Sequence, residues 1–410
     1  MKKLFFTLVA CISVLASQGQ SNNSIVIGKI DSVNSTILKE QRKIWVYQPR
    51  ANGSAEKQIY PVVYLLDAES HFNSVVGMIE QLSSVNGNTI LPQMIIVGIP
   101  NVDRTRDLTP THVDAAPPFL DSTMSKYSGG GERFMAFIEK ELIPHIDALY
   151  PTAPYRMLIG HSFGGLTVIN TLIHHTKLFN AYISIDPSMW YDQERLLKQA
   201  GKALKVNSYA GTSLYLGVAN TVGKGWDLSQ IKKDTSSITY HMRSVLALSD
   251  HLSSNKQNHL NVKWKYYDED DHSSVVLITQ YDALRFFFKD YKLNFSPKDI
   301  SDPSVKLDAL IAQHYKKVSE IMGYSVKPPE NRINSLAYQA LSFKNFNKAE
   351  GLFKLNTVLY PQSSNVYDSM GDYYDAVGDK KQAIENYKKA LTLAEVSETR
   401  KKLESLISKQ

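Results

Sequence analysis

Short apolar runs separated by stretches of helical spacing occupy most of this chain. Val62-Val63-Tyr64-Leu65-Leu66, Met94 to Ile99, Arg156 to Ile159, Ala181 to Ile185, Ser213 to Ala219 and Val262 to Tyr267 each have the length of a strand buried on both faces. Between two of these runs, Phe134, Phe137, Ile138, Leu142, Ile146 and Leu149 recur at helical spacing. Strand, helix and strand in repetition predict an α/β fold with a mainly parallel sheet covered by helices. Ahead of this pattern, Ile25 to Leu38 and Arg42 to Tyr47 read as an opening pair of strands, closed by the turn material Gln48 to Gly53.

The pattern changes near Pro303. Leu307 to Gly323 is helical in spacing, and Lys327-Pro328-Pro329-Glu330 interrupts it. Farther on, Ala349 matches Ala383, Phe353 matches Tyr387 and Asn345 matches Asp379, each at a separation of 34 residues. That period is the one of tetratricopeptide helix pairs. The expected organisation is a leader over 1–19, an α/β domain over 24–295, a helical linker over 296–332 and a small all-α repeat region over 333–408. Two repeat units are fewer than the three usually needed for independent stability, so they are expected to lean on the α/β domain or on a partner.

Composition narrows the class. With 43% apolar and 21% charged residues, the chain is neither disordered nor a membrane bundle, and its net charge of +6 is spread without a basic, aromatic-laced stripe. Nucleic acid is therefore not an expected partner. Lys2-Lys3, the apolar run Leu4 to Ala16 and the polar exit at Ser17-Gln18-Gly19 have the form of a signal peptide, which implies a periplasmic or secreted protein. The one cysteine, Cys11, sits inside this leader, where Leu8-Val9-Ala10-Cys11 also has the form of a lipoprotein cleavage box. The apolar run continues past it and favours cleavage nearer Gly19. A mature chain without a thiol excludes disulfide and cysteine chemistry.

Gly160-His161-Ser162-Phe163-Gly164 is a G-x-S-x-G pentapeptide, entered by the Arg156 to Ile159 run and left by the apolar helical segment Leu166 to Ile173. In a sharp strand-to-helix turn of this kind the serine is lifted above the sheet edge, and flanking glycines remove colliding side chains. Ser162 is the expected nucleophile. A base should follow it in the chain, and His272 stands in the loop after the last apolar run, behind the acidic turn Asp268-Glu269-Asp270-Asp271. His174, His175, His241, His251 and His259 lie on or beside helical stretches and are expected at the surface.

With these two residues in place, residues 42–290 resemble the putative-esterase branch of the α/β-hydrolases, the group of enterochelin esterases, esterase D and feruloyl esterases. The resemblance rests on the elbow and on Tyr64-Leu65-Leu66-Asp67-Ala68-Glu69, Gly98-Ile99-Pro100-Asn101 with Arg104, Arg106, Asp107, Thr109 and Pro110, Ile143-Pro144, Tyr150-Pro151-Thr152 and Asp186-Pro187-Ser188-Met189-Trp190. It implies hydrolysis of a carboxylic ester through an acyl-enzyme, a siderophore or carbohydrate ester being the implied substrate class, with oxyanion donors at the backbone N–H of Phe163 and of Ala68 or Glu69. Trp190 and Arg106 are expected at the substrate pocket, or alternatively in packing and a structural ion pair. No metal or organic cofactor is expected, since no His/Asp/Glu cluster has metal-ligand spacing along the sequence.

The third triad member departs from the family pattern. It should leave the Ser213 to Ala219 strand, where this chain has Asn220 to Trp226 before Asp227. Asp227 is the first expectation, with Asp234 and a bare Ser-His dyad left open; Asp234 would otherwise cap a helix beginning near Ser236. A rival reading keeps the hydrolase fold as a scaffold and assigns function to a repeat tail that binds a protein partner or self-associates. Peptidase or thioesterase chemistry on the same triad is a second rival.

Overall fold

The computed structural model describes residues 24–50, 58–114 and 121–408. The leader, Cys11 and the Ala51 to Gly53 part of the first turn lie outside these residues. Eight strands form one sheet: β1 (Lys29–Ser35), β2 (Glu40–Tyr47), β3 (Tyr60–Leu66), β4 (Ile95–Ile99), β5 (Thr152–His161), β6 (Ala181–Ile185), β7 (Ser213–Ala219) and β8 (Asn261–Tyr267), in the order β1-β2-β4-β3-β5-β6-β7-β8. The β1–β2 and β2–β4 pairs are antiparallel, and every pair from β4 to β8 is parallel. All parallel strands therefore deliver their carboxyl ends to one edge, the edge where open α/β sheets bind ligands.

Two departures from the apolar-run reading follow from position in the sheet. β1 begins at Lys29 rather than Ile25, because its first register partner, Val46, is already next to the end of β2. Ile25 and Val26 are left exposed. β8 alternates between exposed and half-buried residues instead of being covered on both faces, since it is the last strand and only β7 flanks it.

The period-2 pleat divides the interior into two layers. Tyr64, Leu66, Leu158 and Leu216 face one cluster, completed by the Phe163–His174, Tyr191–Val206 and Tyr240–Ser254 helices. Val63, Leu65, Ile159 and Ile183 face the other, covered by the Ala68–Ser83 and Val275–Phe287 helices. The helix expected from Phe134 to Leu149 runs from Gly131 to Leu149 with a π turn at Ile138–Leu142. Pro144 lies just beyond that turn; it lacks an N–H and its ring crowds the carbonyl four residues back, which a wider turn accommodates.

The C-terminal region is helical throughout: Leu307–Met322, Glu330–Ser342, Phe346–Leu359, Ser364–Ala376, Lys380–Leu393 and Ser397–Ile407. Residues 34 apart occupy equivalent places. Ala349 and Ala383 are both fully buried, Phe353 and Tyr387 both anchor the packing, and Asn345 and Asp379 each cap a helix by accepting from the N–H three residues on. The Leu307–Met322 helix joins the two halves, with Val318 and Met322 in the sheet's second cluster and Leu307 and Ile311 in the tail's own. Lys348 adds a polar tie, its buried ammonium donating to the carbonyls of Asp299, Ile300 and Asp302 at 2.8–2.9 Å.

At the antiparallel end of the sheet, Arg42 is buried and donates to Asp107 Oδ2 at 2.6 Å and Glu40 Oε1 at 2.9 Å, with the Phe134 ring 5.4 Å away. Without Arg42, Asp107 Oδ2 loses its donor and buried Asp107 is left with the Arg106 contact at its other oxygen. Arg42→Ala should therefore lower the free energy of unfolding by about 3–5 kcal/mol in a urea titration. A loss below about 1 kcal/mol, the size expected of a surface pair, would show that the network does not hold this end together.

Candidate active site

Three strand ends carry the site, and each ends on a non-glycine residue with positive φ: Asp67 (53°) after β3, Ser162 (59°) after β5 and Asp186 (39°) after β6. Such conformations persist only where the surroundings over-determine them. At Ser162 two backbone bonds do so: its N–H donates to Ile185 O at 3.0 Å and its carbonyl accepts from Ser188 N at 3.1 Å. The elbow also demands its glycines. A Cβ on Gly160 would fall 2.3 Å from Gly164 O, so no side chain fits there. Ser162 Oγ rests 3.2 Å from the hydroxyl of buried Ser188.

The β3–β5 register ends by pairing Leu65 with Ile159, two residues before Asp67 and three before Ser162, so the two strands finish beside each other. A Cβ on Gly164 would meet Asp67 Oδ2 at 3.2 Å, which places the two turns side by side. Phe163 and Ala68 are the first residues of their helices. First-turn N–H groups have no acceptor within their own helix and point outward at its positive end, so both turns present donors at this edge. Asp67 is fixed by Arg104, whose Nε is 2.7 Å from Oδ1 and whose Nη2 also reaches His161 O at 3.2 Å. Burial pushes the Asp67 carboxyl up, but the Arg104 guanidinium outweighs it and holds the group below its ordinary value.

His272 meets its carboxylate here. Its Nδ1 lies 2.6 Å from Asp186 Oδ2, which leaves Nε2 as the nitrogen for a nucleophile's proton. Asp186 is fully buried, its Oδ1 accepts from Ala219 N at 3.1 Å, and its Oδ2 accepts also from His241 Nε2 at 2.8 Å. Burial alone would raise the Asp186 carboxyl, yet the two imidazoles and their hydrogen bonds overcome it and hold the group well below the usual carboxylate range. The backbone of His272 is held as well, because His161 Nε2 donates to its carbonyl at 2.8 Å. Desolvation and the neighbouring His272 push the His161 ring down to about 4, so it sits beside the site as a neutral donor.

The acids expected from the sequence are engaged elsewhere. Asp227 is exposed and forms a capping box with Gln230, its Oδ1 accepting from Gln230 N at 2.8 Å. Asp234 accepts from the hydroxyls of Ser236 and Thr239 and lies 3.5 Å from Arg243, ordering the turn before the Tyr240–Ser254 helix. The reason is topological. β6 neighbours the strand that leads into Ser162 directly, and its last turn puts a carboxylate within reach of His272, while the loop after β7 continues into a helix of its own.

His241 also departs from expectation: it is buried against Asp186, not exposed. Its helix looks polar in sequence, but Met242, Val245 and Leu246 pack into the core and carry it inward. Trp190 lies beside the elbow, its ring 6.0 Å from that of Phe163. Arg106 has its guanidinium on Glu40 and Asp107 at 2.7 Å each, the structural ion pair that was its alternative reading. The neighbouring cation that reaches the elbow is Arg104. Asp186, His241 and His272 form a group, assembled from distant segments, whose ligand-type atoms lie within 4.8 Å of one another. Sequence spacing gave no sign of it. Both imidazole nitrogens contact the same carboxylate oxygen at hydrogen-bond length, which is the arrangement of two N–H donors on one acceptor.

A family model described as putative esterase matches residues 35–269, which include Ser162, Asp186 and His241 and stop three residues before His272. Among curated proteins, the chain is 29% identical over 196 residues to the ferri-bacillibactin esterase BesA of Bacillus subtilis, covering 45% of this chain and 66% of that one, just under two thirds. It is 24% identical over 248 residues to the siderophore triacetylfusarinine C esterase of Aspergillus fumigatus, covering 58% and 84%. Among solved structures, an IroE-like serine hydrolase from Shewanella oneidensis superposes with a TM-score of 0.67 at 31% identity, covering 81% of this chain and 99% of that one. The fold, the elbow and these matches agree: this chain belongs to the putative-esterase family of carboxylic ester hydrolases with the α/β-hydrolase fold.

Proposed function

We propose that this protein is a periplasmic or secreted serine esterase that cleaves an ester bond of a siderophore, with Ser162 as nucleophile, His272 as general base and Asp186 as the orienting acid. The observation that carries the mechanism is the 2.6 Å contact between His272 Nδ1 and buried Asp186, above the same sheet edge as the strained Ser162. The substrate class is supported by the siderophore esterases among its relatives, and the location by the leader-like residues 1–19.

As Ser162 Oγ attacks the ester carbonyl carbon, His272 Nε2 takes its proton and Asp186 stabilises the imidazolium that forms. The carbonyl oxygen, now an anion, is received by the N–H groups of Phe163 and Ala68. Collapse expels the alcohol, which leaves with the proton from His272, and the acyl group remains on Ser162. Water then repeats the sequence with His272 as base and releases the acid. Trp190, nearly buried and packed on Phe163, supports the elbow from the core. Lys348 and the bridging Leu307–Met322 helix support a stabilising or recognition role for the tetratricopeptide-like tail.

Ser162→Ala and His272→Ala should each abolish hydrolysis of a ferric siderophore ester and of a small aryl ester, and Ser162→Ala should lose labelling by a fluorophosphonate. Asp186→Asn should lower kcat by roughly two or more orders of magnitude, while Asp227→Asn stays near wild type. Full turnover in Asp186→Asn would overturn the assignment of the acid, and cleavage of the aryl ester alone would overturn that of the substrate.

The same aspartate predicts a pH-dependent stability. Its folded value lies below its ordinary 3.8, so its contribution is complete above about pH 4 and is lost as the pH falls below that towards the folded value. In chemical unfolding, the stability gap between wild type and Asp186→Asn should be widest above pH 4 and shrink below it. A gap independent of pH would contradict an ionised Asp186.

A further inference from the structure

Asp186 has more donors than a triad needs. One imidazole suffices to orient a base, yet His241 Nε2 lies 2.8 Å from the same oxygen that His272 contacts at 2.6 Å. A carboxylate oxygen only accepts, so the His241 nitrogen facing it carries the hydrogen. The two rings meet edge to face at 5.2 Å. His241 comes from the Tyr240–Ser254 helix, whose neighbouring Met242 and Val245 are fully buried.

Resting on the triad proposed above, we propose that His241 is a positioning residue of the catalytic site: it pins the shared oxygen of Asp186 and draws off part of its charge, and so sets the pH at which His272 becomes a competent base. A carboxylate that serves two donors attracts the His272 proton less strongly than one that serves a single donor. The other ionisable groups around the cluster are accounted for. His161, 4.5 Å from the His272 ring, is kept neutral by burial and donates to the His272 carbonyl, and His71 stands beyond it. Asp270 and Asp271, in the turn before His272, are occupied by Ser274 and by the N–H groups of Ser273 and Ser274. On the helix of His241 itself, Arg243 pairs with Asp234. His241 is thus the remaining ionisable ring in direct contact with the acid among the described residues.

The test is the pH profile of kcat/KM on a small aryl ester for full-length wild type, His241→Leu and His241→Gln, with His272→Ala as reference. Leucine fills the space without a donor; glutamine keeps an N–H. In His241→Leu the acid limb should move to higher pH by about one unit and kcat should fall roughly tenfold or more, with KM little changed. His241→Gln should return both towards wild type. An acid limb in His241→Leu that coincides with wild type, or a His241→Gln as impaired as His241→Leu, would overturn the proposal even with His272→Ala inactive. An active His272→Ala would instead overturn the triad on which it rests. Thermal unfolding of each variant separates these outcomes from misfolding, because a fold defect lowers the active fraction without moving the limb.

Discussion

The buried carboxylate of Asp186 is the constraint on which the site depends. An ionised acid with no solvent exposure is tolerated only when donors surround it, and here the backbone of β7, a helix and the loop after β8 each supply one. These three donors come from segments far apart in the chain. The carboxylate therefore ties the loop of His272 and the helix of His241 to the end of β6, and β6 in turn holds the elbow through the Ile185 carbonyl. In the proposed mechanism this rigidity keeps His272 in one tautomer and one orientation while charge develops.

Backbone strain is concentrated at the same edge. Asp67, Ser162 and Asp186 all take positive φ, and each is held by contacts that a relaxed turn would not make. Arg104 fixes the first, the Ile185 and Ser188 backbone the second, and the Gly217 carbonyl the third. Strain of order 1–3 kcal/mol per residue is sustainable because two buried apolar layers lie beneath the edge. The distant Arg42–Asp107–Glu40 network and the tail's bridging helix brace the ends of the same sheet without entering the chemistry.

Much of this architecture was legible in the amino-acid pattern. The inner strands were, because a strand covered on both faces is apolar at nearly every position, as Ala181 to Ile185 is but for the buried, hydrogen-bonded Ser184. The edges were not: β1 and β8 end or alternate according to which neighbour they have, and pairing is not written in a local run. The positions of Ser162 and His272 were legible because the elbow is a local motif and His272 follows the last strand. Asp186 lies in a family motif, but its partner is 86 residues away and their meeting depends on strand order. Its one sequence signal was a charge set directly after a buried, largely apolar strand. His241 gave less, since helical position alone does not say which way a half-polar helix turns.

The central claim is that the orienting acid of His272 is Asp186, and the His272 Nδ1 proton reports on it directly. A hydrogen bond of 2.6 Å to an ionised carboxylate is short and charge-assisted, and its proton should resonate far downfield in one-dimensional proton NMR. The resonance should be present in wild type and in Asp227→Asn and absent from Asp186→Asn and His272→Ala. Its survival in Asp186→Asn, or its loss in Asp227→Asn, would contradict the account.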